Sequence, residues 1–227
     1  MSRRSFSALS ELCDEDLLMS WRQGNGGAGE VLFERHYDTI RRFFRNKVPP
    51  AAMRDLVQET FLACVESCER FRRLSTFRAY LLGIAHHVMI DYLRAAPRTP
   101  GAALDLDELI LEDLRPVGEQ AIAAKRERRL LLRALRSLRF PLQVVLELRH
   151  WESMSDQEIA EVLAEPLGTI KTRLRTGRLA LEDRLAELSS SGEELRSTLD
   201  SLHRWAMRVR QAAVPDAVRA GDERPAD

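Results

Sequence analysis

Between Arg70 and Arg78 the chain sets four arginines, Arg70, Arg72, Arg73 and Arg78, around Phe71, Leu74, Ser75, Thr76 and Phe77, with no acid among them. Aromatic rings stack on unpaired bases and cations follow a phosphate backbone, so these residue types suit single-stranded nucleic acid. A basic loop whose phenylalanines belong to a core has the same composition, and the segment alone leaves both readings open. A second basic cluster is Thr169, Lys171, Thr172, Arg173, Arg175 and Arg178, set on a helix whose other side carries Ile170, Leu174, Leu181 and Leu185. Cys64 and Cys68 stand one helical turn apart, which suits two metal ligands, and His36, His86 and His87 are available to join them. Two thiols filling a helix interface satisfy that spacing equally. No nucleophile–base pair or phosphate-binding glycine loop occurs, so the sequence is not expected to be an enzyme, and no cofactor or small-molecule substrate is implied.

Thirty-five Lys and Arg balance 35 Asp and Glu over 227 residues, a net charge of zero that at first argues against nucleic acid. Divided along the chain, the balance is +2 for residues 1–95, −3 for 96–125, +2 for 126–188 and −1 for 189–227. The cations are concentrated in the two clusters above. Lys47, Lys125 and Lys171 are the only lysines, leaving 32 arginines, whose planar forks suit phosphate and guanine edges. Codon usage in a GC-rich genome accounts for the same excess. No apolar run reaches the roughly 18 residues of a membrane span, and acids occupy the place of a signal peptide's apolar stretch. Three cysteines form no disulfide framework, so a reducing cytoplasm and no membrane insertion are expected.

The elements that must position these clusters are helices, so the fold class is all-α. A first block, residues 14–95, reads as four amphipathic helices. Asp14 is placed to cap the first, which ends at Gly24-Asn25-Gly26-Gly27. The second runs from about Gly29 to Lys47 with a stripe of Val31, Leu32, Tyr37, Ile40, Phe43 and Phe44; Pro49-Pro50 breaks it. The third, about Ala51 to Glu69, is expected to bury Leu56, Val57, Phe61, Leu62 and Val65. The fourth spans about Phe77 to Arg94, capped by Ser75 or Thr76. Residues 96–125, acidic with Pro and Gly, read as a flexible linker. A second helical block covers 126–188, and residues 189–227 read as an extension, an amphipathic helix followed by a disordered tail.

Within the second block, Ser155 with Glu158 makes a capping box for a short helix ending near Leu163. Ala164-Glu165-Pro166 is the turn, and Pro166 suits the start of the next helix. Residues 151–165 hold five acids and no base, while 167–178 hold four bases and no acid. An acidic supporting helix beside a basic one is the grammar of a helix-turn-helix that directs only its second element at DNA.

A stretch suited to unpaired DNA, an acidic linker and a duplex-reading helix-turn-helix, in that order, resemble a bacterial extracytoplasmic-function sigma factor over about Asp14 to Leu188. DLVQETFL resembles the region-two helix that docks on core RNA polymerase. STFRAYLLGIAHHVMIDYLR resembles the element that melts and reads the minus-ten promoter region, and SDQEIAEVLAEPLGTIKTRLRTGR the region-four unit that reads the minus-thirty-five element. The resemblance implies that Asp55, Leu56, Gln58, Glu59 and Phe61 contact core polymerase. It implies that Arg72, Arg73, Ser75, Thr76 and Phe77 form the loop that captures a flipped base, with Tyr80, His87, Asp91 and Arg94 on the adjoining helix. Arg149, Thr169, Lys171, Thr172, Arg173, Arg175 and Arg178 would face the upstream duplex. Core polymerase, promoter DNA and an anti-sigma factor are the implied partners.

Three departures stand out. Tyr80 occupies a position where the family commonly has Trp, His86-His87 replaces an Arg-Asn pair, and Thr176-Gly177-Arg178 stands for Arg-Ala-Arg. Two competing functions remain at this point, a free-standing helix-turn-helix regulator and a helical metalloprotein.

Overall fold

The computed structural model describes residues 8–45, 47–71, 75–95 and 129–189, which are helical with no strand among them. The expected linker, Arg72, Arg73 and the extension from Ser190 onward lie outside the described residues. These residues divide into two compact units, one holding 8–95 and 157–167, the other 129–156 and 168–189. No described helix is long and apolar enough to cross a membrane.

In the first unit, α1 (Asp14–Arg22), α2 (Gly26–Arg45), α3 (Pro50–Ser67) and α4 (Phe77–Ala95) follow in order, with a short 3-10 turn at Cys68–Arg70. Helix α2 packs on α1, α3 and α4, and α3 packs on α4. Leu17, Leu32, Ile40, Phe44, Leu81 and Leu82 are fully enclosed between them.

Several local expectations change. Asp14 is not a cap; Cys13 holds that position without a side-chain bond, and Asp14 lies in the first turn, tied to α2. Helix α2 begins three residues before the expected Gly29, because Gly27, Ala28 and Gly29 are buried. A Cβ at Gly29 would meet the Trp21 ring at 2.9 Å, so the glycines serve helix contact as well as the turn. The turn itself needs only Gly24, whose φ is +95°, with Asn25 N–H donating to Ser20 O at 3.1 Å. Tyr37 is 47% exposed, and His36 takes the inward position instead, one turn after Leu32 and one before Ile40. In α3 the buried face is Leu56, Val57, Thr60 and Cys64; Phe61 is half-buried, while Leu62 and Val65 are exposed. The inward spacing therefore runs through a threonine and a cysteine, which apolarity alone does not single out.

In the second unit, α5 covers 129–137 of the described residues and α6 spans Phe140–His150. Helix α7 (Asp156–Leu163), which from Gln157 onward belongs with the first unit, buries Ile159, Ala160, Val162 and Leu163; α8 (Leu167–Leu188), in the second unit from Gly168 onward, buries Ile170, Leu174, Gly177, Leu181 and Leu185. The turn after α7 is a Schellman motif with Glu165 N–H on Ala160 O at 3.0 Å, Ala164 N–H on Glu161 O at 3.2 Å, and Ala164 at φ 51°. Gly177 sits where a Cβ would approach the Leu146 side chain to 3.3 Å and Leu142 O to 3.4 Å. Its cost of about 1 kcal/mol in helix propensity is set against the close approach of α8 to α6.

Candidate nucleic-acid interface

The segment between α3 and α4 is anchored on both sides of residues 72–74. On the near side, Arg22, at the end of α1, donates from Nη2 to Phe71 O at 2.8 Å and to Cys68 O. The Phe71 ring is buried 4.7 Å from Tyr80 and at right angles to Phe77, 6.3 Å away. On the far side, Thr76 Oγ1 accepts from Ala79 N–H at 3.2 Å, capping α4 as the sequence allowed, and Thr76 O accepts from Tyr80 N–H. Tyr80 is half-buried, and its hydroxyl donates to Ser67 Oγ at 2.6 Å; Ser67 in turn donates to Ala63 O.

Phe77 is 1% exposed and packs 5.5 Å from the His36 ring, so its ring belongs to the core and is unavailable to a captured base. Ser75, half-buried, and Thr76, exposed, remain at the surface, as do His87 and Arg94. Arg94 lies 3.3 Å from Asp91 on the exposed end of α4. Beneath Phe77, His36 Nε2 meets Asp14 Oδ2 at 2.6 Å, and Arg35 meets Asp14 Oδ1 at 2.7 Å while donating to Ser10 O and Leu12 O. Burial raises the Asp14 carboxyl pKa, but the bonds and charges of His36 and Arg35 outweigh it and hold the group below the usual carboxylate range.

Helix α3 exposes Asp55, Gln58, Glu59, Leu62, Val65 and Glu66 at successive helical spacings, and Glu69 is exposed in the 3-10 turn that follows. Leu56 is 5% exposed and faces the core, so it is not part of this surface. Phe61 is shared: its ring lies 4.7 Å from Phe33 and parallel to exposed Tyr37 at 6.4 Å. On the inner side, Cys64 and Cys68 are buried, and burial, with Cys68 adjacent, pushes the Cys64 thiol up to about 12. Both thiols are enclosed, as in the helix-interface reading of their spacing.

On α8 the exposed residues include Lys171, Thr172, Arg175 and Arg178, with Thr169 and Arg173 half-buried. At about 3.6 residues per turn, Gly168, Thr172, Arg175 and Leu179 lie opposite the buried stripe, with Lys171 and Arg178 on one flank and Thr169 and Arg173 on the other. Arg149 donates to Met154 O at 2.9 Å and lies 3.7 Å from Asp156, so part of its fork secures the turn into α7.

Residues 32–99 match the family Sigma-70 region 2, and residues 128–181 match Sigma-70, region 4. The ECF RNA polymerase sigma-E factor of Escherichia coli (strain K12) is 26% identical over 186 residues, covering 78% of this chain and 97% of that relative. The protein of the same name from Haemophilus influenzae is 27% identical over 189 residues, covering 78% of this chain and 98% of the relative. The chain belongs to the extracytoplasmic-function sigma factors. A solved structure described as CnrH in complex with the cytosolic domain of CnrY shares the fold, with a TM-score of 0.59, 24% identity, and 78% and 99% of the two chains covered.

As a sigma factor the chain is a non-enzymatic initiation factor that binds core RNA polymerase and promoter DNA. The region-two match contains both the α3 surface and the anchored segment; the region-four match contains α7 and the basic part of α8. Arg22 and Ser67 escaped the sequence reading. Arg22 bonds to residues 46 and 49 positions away, which no local pattern signals. Ser67 became visible only through the hydroxyl that distinguishes Tyr80 from the family's Trp.

Proposed function

We propose that this sigma factor, which directs transcription initiation, divides its work among three surfaces. Asp55, Gln58 and Glu59 on α3, continued by Leu62 and Val65, dock on core polymerase. Arg72, Arg73, Ser75 and Thr76, with Tyr80, His87 and Arg94 on α4, engage the melted minus-ten strand. Thr169, Lys171, Thr172, Arg173, Arg175 and Arg178 on α8, helped by Arg149, engage the minus-thirty-five duplex.

The observation that carries this assignment is the opposite character of two exposed helix faces. The face of α3 combines acids with Leu62 and Val65, at 57% and 46% exposure, which suits a protein partner with apolar and basic groups. The face of α8 presents Lys171, Arg175 and Arg178 with no acid from 167 to 178, which suits phosphates. Coupling two weak DNA contacts through polymerase multiplies their affinities as in any bivalent binder. The chain works in the cytoplasm, where polymerase and chromosome are, and an anti-sigma factor that covers these faces would hold it inactive.

Charge reversal tests the division. Glu59→Arg should abolish transcription by weakening assembly with core polymerase, whereas Lys171→Glu should leave assembly intact and weaken upstream DNA contact. The reverse pattern, or promoter binding that needs no polymerase, would overturn the assignment.

A further inference from the structure

The hydroxyl of Thr172 donates to Gly168 O one turn earlier in α8, at 2.9 Å. A threonine hydroxyl has one hydrogen to give. With that hydrogen committed, it has none for phosphate oxygens or for the acceptor atoms N7, O6 and O4 of the major groove, all of which require a donor. The bond also fixes χ1, so the methyl group takes one defined direction from an exposed residue.

The position favours base contact over backbone contact. Thr172 stands in the second turn of α8, opposite the buried Ile170 and Leu174, on the line that points away from the domain. Lys171 on one flank and Arg173 on the other are the groups placed for phosphates. Helix-turn-helix units present the N-terminal part of their second helix to base edges. One turn before Thr172, Gly168 has no side chain, and a Cβ there would meet nothing within 4 Å. Gly168 and Thr172 thus form a small apolar step with open space above it, bounded by Arg175 on the same line.

We propose that this step reads the C5-methyl group of a thymine in the upstream promoter element, making Thr172 a specificity residue through its methyl and not its hydroxyl. The inference rests on the assignment of α8 to the upstream duplex. A thymine methyl is the one apolar feature of the major-groove code, and a threonine methyl is a natural contact for it.

The test uses holoenzyme, assembled from the full chain and core polymerase, to select from a duplex library randomised upstream of a fixed minus-ten region. Wild type, Thr172→Val and Thr172→Ser are compared, and the best duplex is remade with deoxyuridine at each selected thymine. Wild type and Thr172→Val should fix thymine at one position and lose about four-fold in affinity there with deoxyuridine, the worth of one buried methyl. Thr172→Ser should lose the preference and ignore deoxyuridine. Loss of selection in Thr172→Val with retention in Thr172→Ser would show that the hydroxyl reads the base, overturning the inference alone. Indifference of wild type to deoxyuridine at every position would overturn it as well. Absence of any upstream selection by wild type would overturn both the inference and the assignment of α8 beneath it.

Discussion

The hydroxyl of Tyr80 donates to Ser67 Oγ at 2.6 Å, tying the first turn of α4 to the last turn of α3. Ser67 passes its own hydrogen to Ala63 O, so both hydroxyls are satisfied in one short chain. The Tyr80 ring meanwhile packs 4.7 Å from Phe71, the last described residue before 72–74. The relationship joins the helix assigned to polymerase to the helix assigned to the minus-ten strand.

Tyr80→Phe keeps the ring and removes that bond. It should lower unfolding stability by about 1 kcal/mol, read as a shift of the denaturant midpoint at unchanged slope. Ser67 still has Ala63 O as acceptor, so no donor is stranded. An unchanged midpoint would show that the bond contributes nothing.

Arg22→Met has a larger effect, because it strips the donor from Phe71 O and Cys68 O together. Bonds to charged donors contribute about 1.5–3 kcal/mol, and the loss falls on the backbone just before residues 72–74. Transcription from an intact duplex promoter should fall by more than ten-fold, while a template already opened at the minus-ten region should recover most of the activity. Equal losses on both templates would reduce Arg22 to a general stabiliser.

Asp14 makes stability depend on acid. Its folded pKa lies below the unfolded value of about 3.9, so its contribution is complete above that value and is lost as pH falls through the folded pKa. Asp14→Asn should cost stability at neutral pH and flatten the decline below about pH 4 in denaturant titrations. A parallel decline in both proteins would mean that Asp14 is not linked to the acid transition.

Ala164 occupies the left-handed position that closes α7, at φ 51°. Glycine adopts this conformation without steric cost, so Ala164→Gly should raise stability by about 0.5–1 kcal/mol despite glycine's looser unfolded chain. A destabilised Ala164→Gly would indicate that the Cβ of Ala164 contributes more than its backbone costs.

Salt dependence separates the flanks of α8 from its centre. Removing a phosphate contact with Lys171→Ala should weaken holoenzyme binding to all upstream sequences alike and reduce the log–log salt slope by about 1. Arg175→Ala, at the centre, should instead relax the preference for one base pair. An unchanged slope in Lys171→Ala would remove that residue from the phosphate wall.

Much of this was legible in the sequence wherever the signal is local. The proline at 166, the hydroxyl at 76 and the charge change between α7 and α8 mark their elements directly. Two readings failed because apolarity does not say which side is inside, and a third, Phe77 in a base-capturing loop, came from the resemblance where the residues alone left a core role open. Leu62 and Val65 fit a helical stripe but face outward, since Thr60 and Cys64 fill the inner positions. Tyr37 gives way to His36, which is admitted to the interior by Asp14. Phe77, grouped by sequence with a basic loop, is the first core residue of α4. Arg22 was hidden for another reason: its acceptors are main-chain carbonyls, which have no signature in sequence.

The account is tested most directly by transcription on promoter duplexes with purified core polymerase, the wild-type chain, Glu59→Arg and Lys171→Glu. It predicts defined start sites only when core and wild-type chain are combined, with loss of polymerase assembly in Glu59→Arg and loss of upstream DNA contact alone in Lys171→Glu. Promoter-specific binding by the chain without polymerase, undiminished in Glu59→Arg, would contradict it.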